Sequence, residues 1–300
     1  MKKSKIIIFL FLFSALLFSC KTQQSHINTT SNLSNSLLWK IERPELQSPS
    51  YLFGTIHLID AKDYFLPQNF DSAFSNAENI VFEIDMDDME DMGKLMSLLP
   101  LMMMNDNQTL EDLLSEDDYK YVDSIFNAKG LPLFIMGKIK PLLLSAFAET
   151  DISPESYQNG DYKSYEFEFQ KMAKESNKKV SGLETMEYQI SIFDSIPYKE
   201  QAQMLIANLR EQGAGSNSMD DLIKLYKEQK INDLYSTSIS EDFGKFENLL
   251  LNNRNNNWIP IMSEFMKESP SFFAVGAGHL AGENGVINLL RKEGYKVSPL

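Results

Sequence analysis

Apolar and polar positions at the start of the chain follow a pattern that predicts two strands, a helix and a third strand. Residues 37–42 and 51–54 are apolar runs separated by a turn with Pro and Ser, which is typical of a hairpin with a long loop. Residues 67–78 carry apolar side chains at helical spacing, and residues 80–85 form an apolar run typical of a buried strand. We therefore predict a β-β-α-β opening in which the helix returns the chain to the sheet.

Helical spacing dominates the middle of the chain. Helices are predicted over residues 93–104, 115–130, 134–149 with a kink at Pro141, 163–176, 187–210, 219–229, 241–251, 255–267 and 284–293. Further strands are predicted over residues 179–184, 271–275 and 295–299. This order predicts an α/β or α+β fold, with a central mixed β-sheet surrounded by helices.

Two apolar runs end in the same short motif, Gly-x-x-His. Gly54 precedes His57 after the first run, and Gly276 precedes His279 after a second run near the end of the chain. Glycine permits a sharp turn and a close backbone approach, and histidine is a common metal ligand and acid–base group. One such motif alone is best explained by a structural histidine at a strand end. The pair predicts two strand–turn–helix motifs that meet at one end of the sheet to form one site.

Carboxylates near predicted strand ends are the other candidates for this site. Glu83 lies inside an apolar strand, where a charge is costly unless it is paired or binds a metal, and Asp85 is predicted on the same face. Glu184 ends another predicted strand, although it can equally belong to the start of the next helix. Arg254 can pair with a buried carboxylate or polarise a substrate carbonyl, and its alternative is a surface position at a helix start.

The N-terminus has the features of a targeting segment. A basic start and a short apolar stretch end in Leu-Phe-Ser-Cys, so we predict a lipoprotein signal peptide over residues 1–19 and lipidation at Cys20, the chain's only cysteine. The alternative is an ordinary signal peptide with a chance cysteine. Residues 20–36 are polar and are predicted to form a flexible tether that includes His26, followed by a single domain over residues 37–300.

Composition excludes several classes of function. The net charge of −14 argues against a nucleic-acid partner, and 43% hydrophobic residues indicate a globular chain. The sequence has no Gly-x-Ser-x-Gly elbow, phosphate-binding loop, His-Glu-x-x-His pair or dinucleotide-binding glycine motif.

The motifs described above occur in an order that resembles the TraB/GumN family over residues 37–300. The matching segments are Tyr51-Leu-Phe-Gly-Thr-Ile-His-Leu58, Val81-Phe-Glu-Ile-Asp85, Gly182-Leu-Glu-Thr185 with Gln189, Arg254-Asn255 and Phe273-Ala-Val-Gly-Ala-Gly-His-Leu280. That family is similar to the Tiki proteins, which are membrane-associated metalloproteases, and to erythromycin esterase-like and ChaN-like proteins.

The resemblance implies a metal-centred site at one end of the sheet. His57, Glu83 and His279 would bind a divalent metal ion, with Mn²⁺ or Co²⁺ expected and Zn²⁺ as a further option. Glu83 would also serve catalysis, together with Glu184 and Arg254.

These observations predict a metal-dependent hydrolase, in the first place a peptidase that acts on a peptide or protein and not on nucleic acid. We expect it to be held by its lipid in the cell envelope, at the outer membrane or on the periplasmic side of a bacterial membrane. The alternative is a non-catalytic lipoprotein that sequesters a pheromone-like peptide. For that role the Met-rich segment 95–104 would line an apolar groove, although it is also consistent with a core helix.

Overall fold

A mixed β-sheet lies at the centre of the protein. A computed structural model describes residues 32–149, 159–213, 218–238 and 244–300. Strands β1 to β8 are Leu38–Glu42, Ser50–Thr55, Ile59–Asp60, Asn79–Ile84, Tyr162–Lys163, Lys179–Glu184, Ser271–Gly276 and Lys296–Pro299. Six of them form one sheet in the order β6-β4-β7-β2-β1-β8, while β3 and β5 pair separately. The predicted central mixed sheet is confirmed.

The sheet contains a parallel half and an antiparallel half. Strands β6, β4, β7 and β2 run parallel to one another, whereas β1 is antiparallel to both β2 and β8. The predicted hairpin is β1 with β2, in which Trp39 lies opposite Leu52. Because the other four strands are parallel, their carboxyl ends lie at one edge of the sheet.

Thirteen α-helices occur among the described residues. Helices α1 to α13 are Phe70–Asn76, Met92–Met102, Leu110–Leu113, Glu116–Ala128, Leu133–Met136, Pro141–Glu149, Tyr165–Glu175, Met186–Ile192, Tyr198–Gly213, Ser218–Lys227, Ile231–Ser238, Asn253–Glu268 and Val286–Lys292. A π-helical turn, Asn248–Asn252, leads directly into α12.

Aromatic side chains fix two helices against the parallel strands. Phe70 of α1 and Phe169 of α7 have ring centroids 4.9 Å apart, and both pack on Phe53 of β2 and Phe272 of β7. All four rings are buried, and each contributes about 1.5–3 kcal/mol through burial. A second apolar cluster joins α3, α4, α6 and α9.

Several predicted helices differ from the observed ones. The predicted helix over residues 134–149 is two helices, because Pro141 occupies the first position of α6 instead of kinking a continuous helix. The predicted helix over residues 187–210 is likewise interrupted before Tyr198, next to Pro197. Part of the predicted helix over residues 241–251 lies outside the described residues.

The first Gly-x-x-His motif does not have the predicted strand–turn–helix form. After β2 and His57 the chain enters the short strand β3, which pairs with β5, before α1 begins. The second motif continues into a 3-10 turn, Ala277–His279. The prediction that Asp85 lies on the same face of the strand as Glu83 is wrong, because β4 ends at Ile84. Asp85 instead caps a 3-10 helix, where its side chain accepts a hydrogen bond from the Asp87 N–H.

The N-terminal predictions mostly lie outside the described residues. These are the signal peptide over residues 1–19, Cys20, His26 and most of the predicted tether over residues 20–36. The described chain is packed from Leu33, which is buried and donates its N–H to the Asn232 side chain. No helix in the described part of the chain is long and apolar enough to cross a membrane.

Candidate active site

The four parallel strands deliver the candidate side chains to one edge of the sheet. Thr55 and Gly276 end β2 and β7, which are paired with each other, Glu83 is the penultimate residue of β4, and Glu184 ends β6. Beyond its strand, each of the two Gly-x-x-His motifs adds a histidine. Parallel pairing of the four strands therefore brings together residues that are far apart in the sequence.

Arg254 of α12 lies at the centre of this edge and is almost fully buried. Its Nε and Nη2 donate to Glu184 Oε1 at 2.9 and 2.6 Å, and Nη2 also donates to Glu83 Oε2 at 2.5 Å. Its Nη1 contacts the Leu250 carbonyl at 3.0 Å and His279 Nε2 at 3.2 Å. A guanidinium has five N–H donors, and these contacts use all of them. Arg254 is thus a buried ion-pair partner, one of the alternatives considered from sequence.

Glu83 is held as a carboxylate by donors on both oxygens. Oε1 accepts from the Gly276 N–H at 2.8 Å, and Oε2 accepts from Gln189 Nε2 at 3.1 Å in addition to Arg254. Burial opposes ionisation of Glu83, but the charges of Arg254, His279 and His57 outweigh it and hold the pKa of this carboxyl well below its usual range. Glu83 is therefore a weak base in this arrangement.

Glu184 is as fully engaged as Glu83. Its Oε1 accepts from Gln189 Nε2 at 2.8 Å as well as from Arg254, and its Oε2 accepts from the Trp258 indole N–H at 2.9 Å. Thr185, not Glu184, is the N-cap of α8, with its side chain accepting from the Tyr188 N–H. Glu184 therefore ends β6 directly before the N-cap of α8, and its side chain contacts Arg254, Gln189 and Trp258.

His279 is buried with its tautomer set by Asn255. The Asn255 amide nitrogen donates to the Asn284 carbonyl at 2.9 Å, so its Oδ1 faces His279 Nδ1, 2.6 Å away, and accepts a hydrogen bond from the Nδ1–H. Nε2 is then the unprotonated nitrogen that accepts from Arg254. The Trp258 ring packs beside the imidazole, with centroids 4.5 Å apart. Burial lowers the pKa of His279 to about 3, so the imidazole is neutral near pH 7.

This neutral histidine predicts an acid-sensitive fold. Between pH 6.5 and about 3 the unfolded chain binds a proton at His279 that the folded chain excludes, so stability falls as pH decreases through this window. We expect Tm to fall from pH 7 to pH 5 in the wild type, and His279→Gln to show a shallower decline. Thermal unfolding by circular dichroism measures both slopes. Equal slopes would contradict the prediction, and His26→Gln is the control for removal of an imidazole outside both motifs.

His57 differs from His279 in being open to solvent. Its side chain is 82% exposed, and Nδ1 lies 3.4 Å from Glu166 Oε1. The hydrogen-bonding carboxylate of Glu166 raises the pKa of His57 to about 9, with a smaller contribution from the charge of Glu83 opposed by Arg254. The charges of Glu83 and Arg254 act on the pKa of His57 in opposite directions, and Glu166 has the larger effect.

The two motif glycines allow the close approaches that shape this edge. A Cβ on Gly54 would lie 2.6 Å from Leu280 Cδ1 and 3.2 Å from Ala277 Cα, so β2 could not approach the turn after β7 as closely. A Cβ on Gly276 would lie 3.2 Å from Glu83 Oε1 and would crowd the hydrogen bond that the Gly276 N–H makes. Both glycines are therefore needed for close packing at the site.

The side-chain arrangement does not fit a metal ion held by His57, Glu83 and His279. His279 Nε2 and Glu83 Oε1 are 3.8 Å apart and suitable donors by type, but the Arg254 guanidinium contacts both residues. His57 directs Nδ1 at Glu166. Among the described residues, no group of three or more His, Cys, Asp and Glu side chains is arranged to hold a metal. An ion could use this pair of donors only after Arg254 had moved.

Four residues have site contacts that the sequence reasoning did not assign. Gln189 bridges both carboxylates, Asn255 sets the His279 tautomer, Trp258 contacts Glu184, and Glu166 contacts His57. Asn255 and Trp258 follow Arg254 on one helix at positions i+1 and i+4, which is a weak signal. Glu166 resembles an ordinary acidic residue in the first turn of a helix, so the sequence contains no signal for it.

Comparison with known proteins gives a family and a set of relatives. The model of the TraB/PrgY/gumN family matches residues 37–299. The chain is 26% identical over 328 residues to Metalloprotease TIKI2 from Danio rerio, covering 88% of this chain and 60% of that protein. It is 27% identical over 343 residues to Metalloprotease TIKI1 from Homo sapiens, covering 92% and 63%. The chain thus spans about three fifths of the length of these relatives. No solved structure matches it.

Proposed function

The chain belongs to the TraB/PrgY/gumN family, and on this premise we propose that it is a hydrolase that cleaves peptide bonds. Relatives that are named metalloproteases support the choice of reaction. The site observation that carries it is an exposed imidazole, His57, which follows β2 at the edge of the sheet where the buried and fully hydrogen-bonded charges lie. In this arrangement His57 carries the proton, and the hydrogen-bonded charges provide a fixed electrostatic environment.

His57 is the residue that exchanges protons in this reaction. In its neutral form it removes a proton from the water that attacks the peptide carbonyl, and it returns that proton to the leaving amine. Because its pKa is raised to about 9, the neutral imidazole is a strong base, and the negative charges of Glu166 and Glu83 favour the imidazolium that forms.

Arg254 supports this reaction by holding other residues in place. All five of its donors are used within the protein, so it keeps Glu83 ionised and holds both Glu83 and Glu184 in place instead of binding the substrate oxyanion. Glu83 and Glu184 then act on the substrate through the electrostatic field of their carboxylates. This differs from the direct catalytic role that the family resemblance implied for the three residues, and from the alternative in which Arg254 polarises a substrate carbonyl.

The attachment and location of the enzyme are part of the proposal. The sequence pattern around Cys20 supports a lipid anchor in the cell envelope. The relatives' names support a metal dependence, and Mn²⁺ or Co²⁺, with Zn²⁺ as a further option, remain the proposed ions. Binding of an ion at Glu83 and His279 would require Arg254 to be displaced.

The decisive experiment follows peptide cleavage by mass spectrometry in H₂¹⁸O. Wild-type protein is expected to convert a mixture of peptides into products whose new carboxyl ends contain ¹⁸O, with many turnovers per chain. His279→Gln is expected to cleave far more slowly, because Arg254 loses an acceptor and the buried group rearranges. Assays with chelator, and with each ion added back, measure the metal dependence. Intact peptides after prolonged incubation under all these conditions would refute the proposal.

A sequestering protein is the second candidate, favoured by one surface. Met92, Met96 and Leu99 lie on one side of α2 and are 69%, 59% and 42% exposed, so this helix is not simply part of the core. Helix α2 packs against α8, which carries Gln189 of the site. A sequestering protein would bind peptide stoichiometrically and release it intact, a result that the same mass spectra distinguish from cleavage.

A further inference from the structure

Glu166 is an unassigned carboxylate whose position is fixed from three directions. Thr55 Oγ1 donates to its Oε1 at 2.7 Å, Ser164 Oγ donates to its Oε2 at 2.9 Å, and His57 Nδ1 lies 3.4 Å from Oε1. The side chain is only 15% exposed. Each oxygen therefore has its own hydroxyl donor, which restricts rotation of the carboxylate.

The two hydroxyl donors belong to rigid elements. Thr55 is the last residue of β2, two positions before His57, and Ser164 is the N-cap of α7. Glu166 lies in the first turn of α7, where a negative charge interacts favourably with the helix dipole. The sheet and the helix thus place Glu166 relative to the backbone that carries His57.

This placement determines which nitrogen of His57 faces the carboxylate. Because Oε1 lies next to Nδ1, a proton on Nδ1 is held there, while the largely exposed ring leaves Nε2 to exchange protons. A histidine used in acid–base catalysis commonly needs such a partner to fix its tautomer and ring orientation. The same orientation would also suit a histidine that binds a ligand through Nε2.

We propose that Glu166 is the positioning residue of His57, with Thr55 and Ser164 fixing its carboxylate so that Nε2 faces the substrate. This inference rests on the proposed peptidase function for its kinetic consequence, but the tautomer that it predicts does not depend on catalysis. Glu166 itself does not contact the reacting atoms.

Glu168 provides a matched control for the test. It lies in the same first turn of α7 and pairs with Lys163 at 3.5 Å, so Glu168→Gln removes the same charge from the same helix end without touching His57. Glu166→Gln and Thr55→Val remove the carboxylate charge and one of its hydroxyl donors. All variants are made in the full-length protein, and their Tm values are measured first.

Kinetics provide the first readout, with the peptide cleaved by the wild type as substrate. At about pH 10, where His57 is neutral in both proteins, Glu166→Gln is expected to lower kcat about 10²-fold or more with KM nearly unchanged, because orientation of the base matters mainly in the transition state. Thr55→Val should lower kcat less, Glu166→Asp should recover part of the loss, and Glu168→Gln should match the wild type. A wild-type kcat in folded Glu166→Gln would overturn the proposal, as would an equal loss in Glu168→Gln.

The second readout is the ¹⁵N NMR spectrum of the His57 ring at a pH where it is neutral. The chain has three histidines, so single substitutions assign the signals. The wild type is expected to carry the proton on Nδ1, and Glu166→Gln to shift it towards Nε2, the tautomer that prevails in free histidine. An Nε2 proton in the wild type would overturn the inference even if the protein is a peptidase. An Nδ1 proton without any peptidase activity would sustain the inference and reject the proposed function.

Discussion

Substituting Arg254→Met is expected to lower the free energy of unfolding by about 3–5 kcal/mol, a large part of the stability of a typical domain. The change leaves Glu83 and Glu184 buried beside each other without their cation, so at least one must take up a proton or be hydrated. It also removes the Arg254 contact over the Trp258 ring. Urea unfolding of both proteins near neutral pH measures the difference.

Arg210 is the control for this substitution. Its guanidinium pairs with Asp118 at 2.6 Å on the surface, where an ion pair contributes about 0–1 kcal/mol. Arg210→Met should therefore unfold at nearly the wild-type urea concentration. A loss below about 1 kcal/mol in Arg254→Met would show that the buried carboxylates do not depend on this arginine.

Arg254→Met is also expected to acquire affinity for a divalent ion. Two carboxylates and the unprotonated Nε2 of His279 lose the guanidinium that they now share, and together they form a donor set of oxygen and nitrogen atoms. Metal analysis after equilibration with Mn²⁺, Co²⁺ or Zn²⁺ should find about one ion per folded variant chain and much less in the wild type. A full equivalent in the wild type would show that the ion and Arg254 occupy the site together.

Substituting His57→Gln is expected to reduce peptide cleavage by about 10²–10⁴-fold, the usual contribution of a general acid–base group. Stability near neutral pH should also fall, because the protonated imidazole, whose pKa is raised to about 9, stabilises the fold through its ion pair with Glu166; solvent around this mostly exposed side chain limits the loss. Initial rates and thermal unfolding on the same preparation separate the two effects. His26→Gln, outside both motifs, should behave like the wild type. Near-normal cleavage by folded His57→Gln would assign the proton transfers to another group.

The role of His57 also gives the wild type a distinct pH dependence. The base must be neutral to accept a proton, and its pKa is raised to about 9, so most of it is protonated at pH 7. We expect kcat/KM to rise about tenfold per pH unit from pH 7 and to level off near pH 9. Rates measured from about pH 6 to about pH 10 provide the profile. A flat profile across this range would show that ionisation of His57 does not limit the reaction.

Individual elements show how much of the fold can be predicted from sequence patterns. Local alternation and apolar runs predict the hairpin of β1 and β2 and the buried strand β4. These strands belong to one sheet, and its buried environment requires apolar side chains in each of them. Glu83 was identifiable because a charge inside such a strand needs a partner. The interruptions beside Pro141 and Pro197 were also signalled locally, yet helical spacing on both sides concealed them.

The sequence by itself determined the α/β class, the two Gly-x-x-His motifs and the likeness to a family, since each depends on residues close together in the chain. Only the tertiary structure decided which side chains of the site contact one another. Parallel pairing of β2, β7, β4 and β6 brings residues that are far apart in the chain into hydrogen-bond contact, as with Gly276 and Glu83, which are 193 positions apart. In the folded chain His279 is buried, His57 is exposed, and Arg254 is surrounded by carboxylates. Glu166 looks like any helix-start acid until β2 brings His57 beside it, because the contact between β2 and α7 is not encoded in either segment alone.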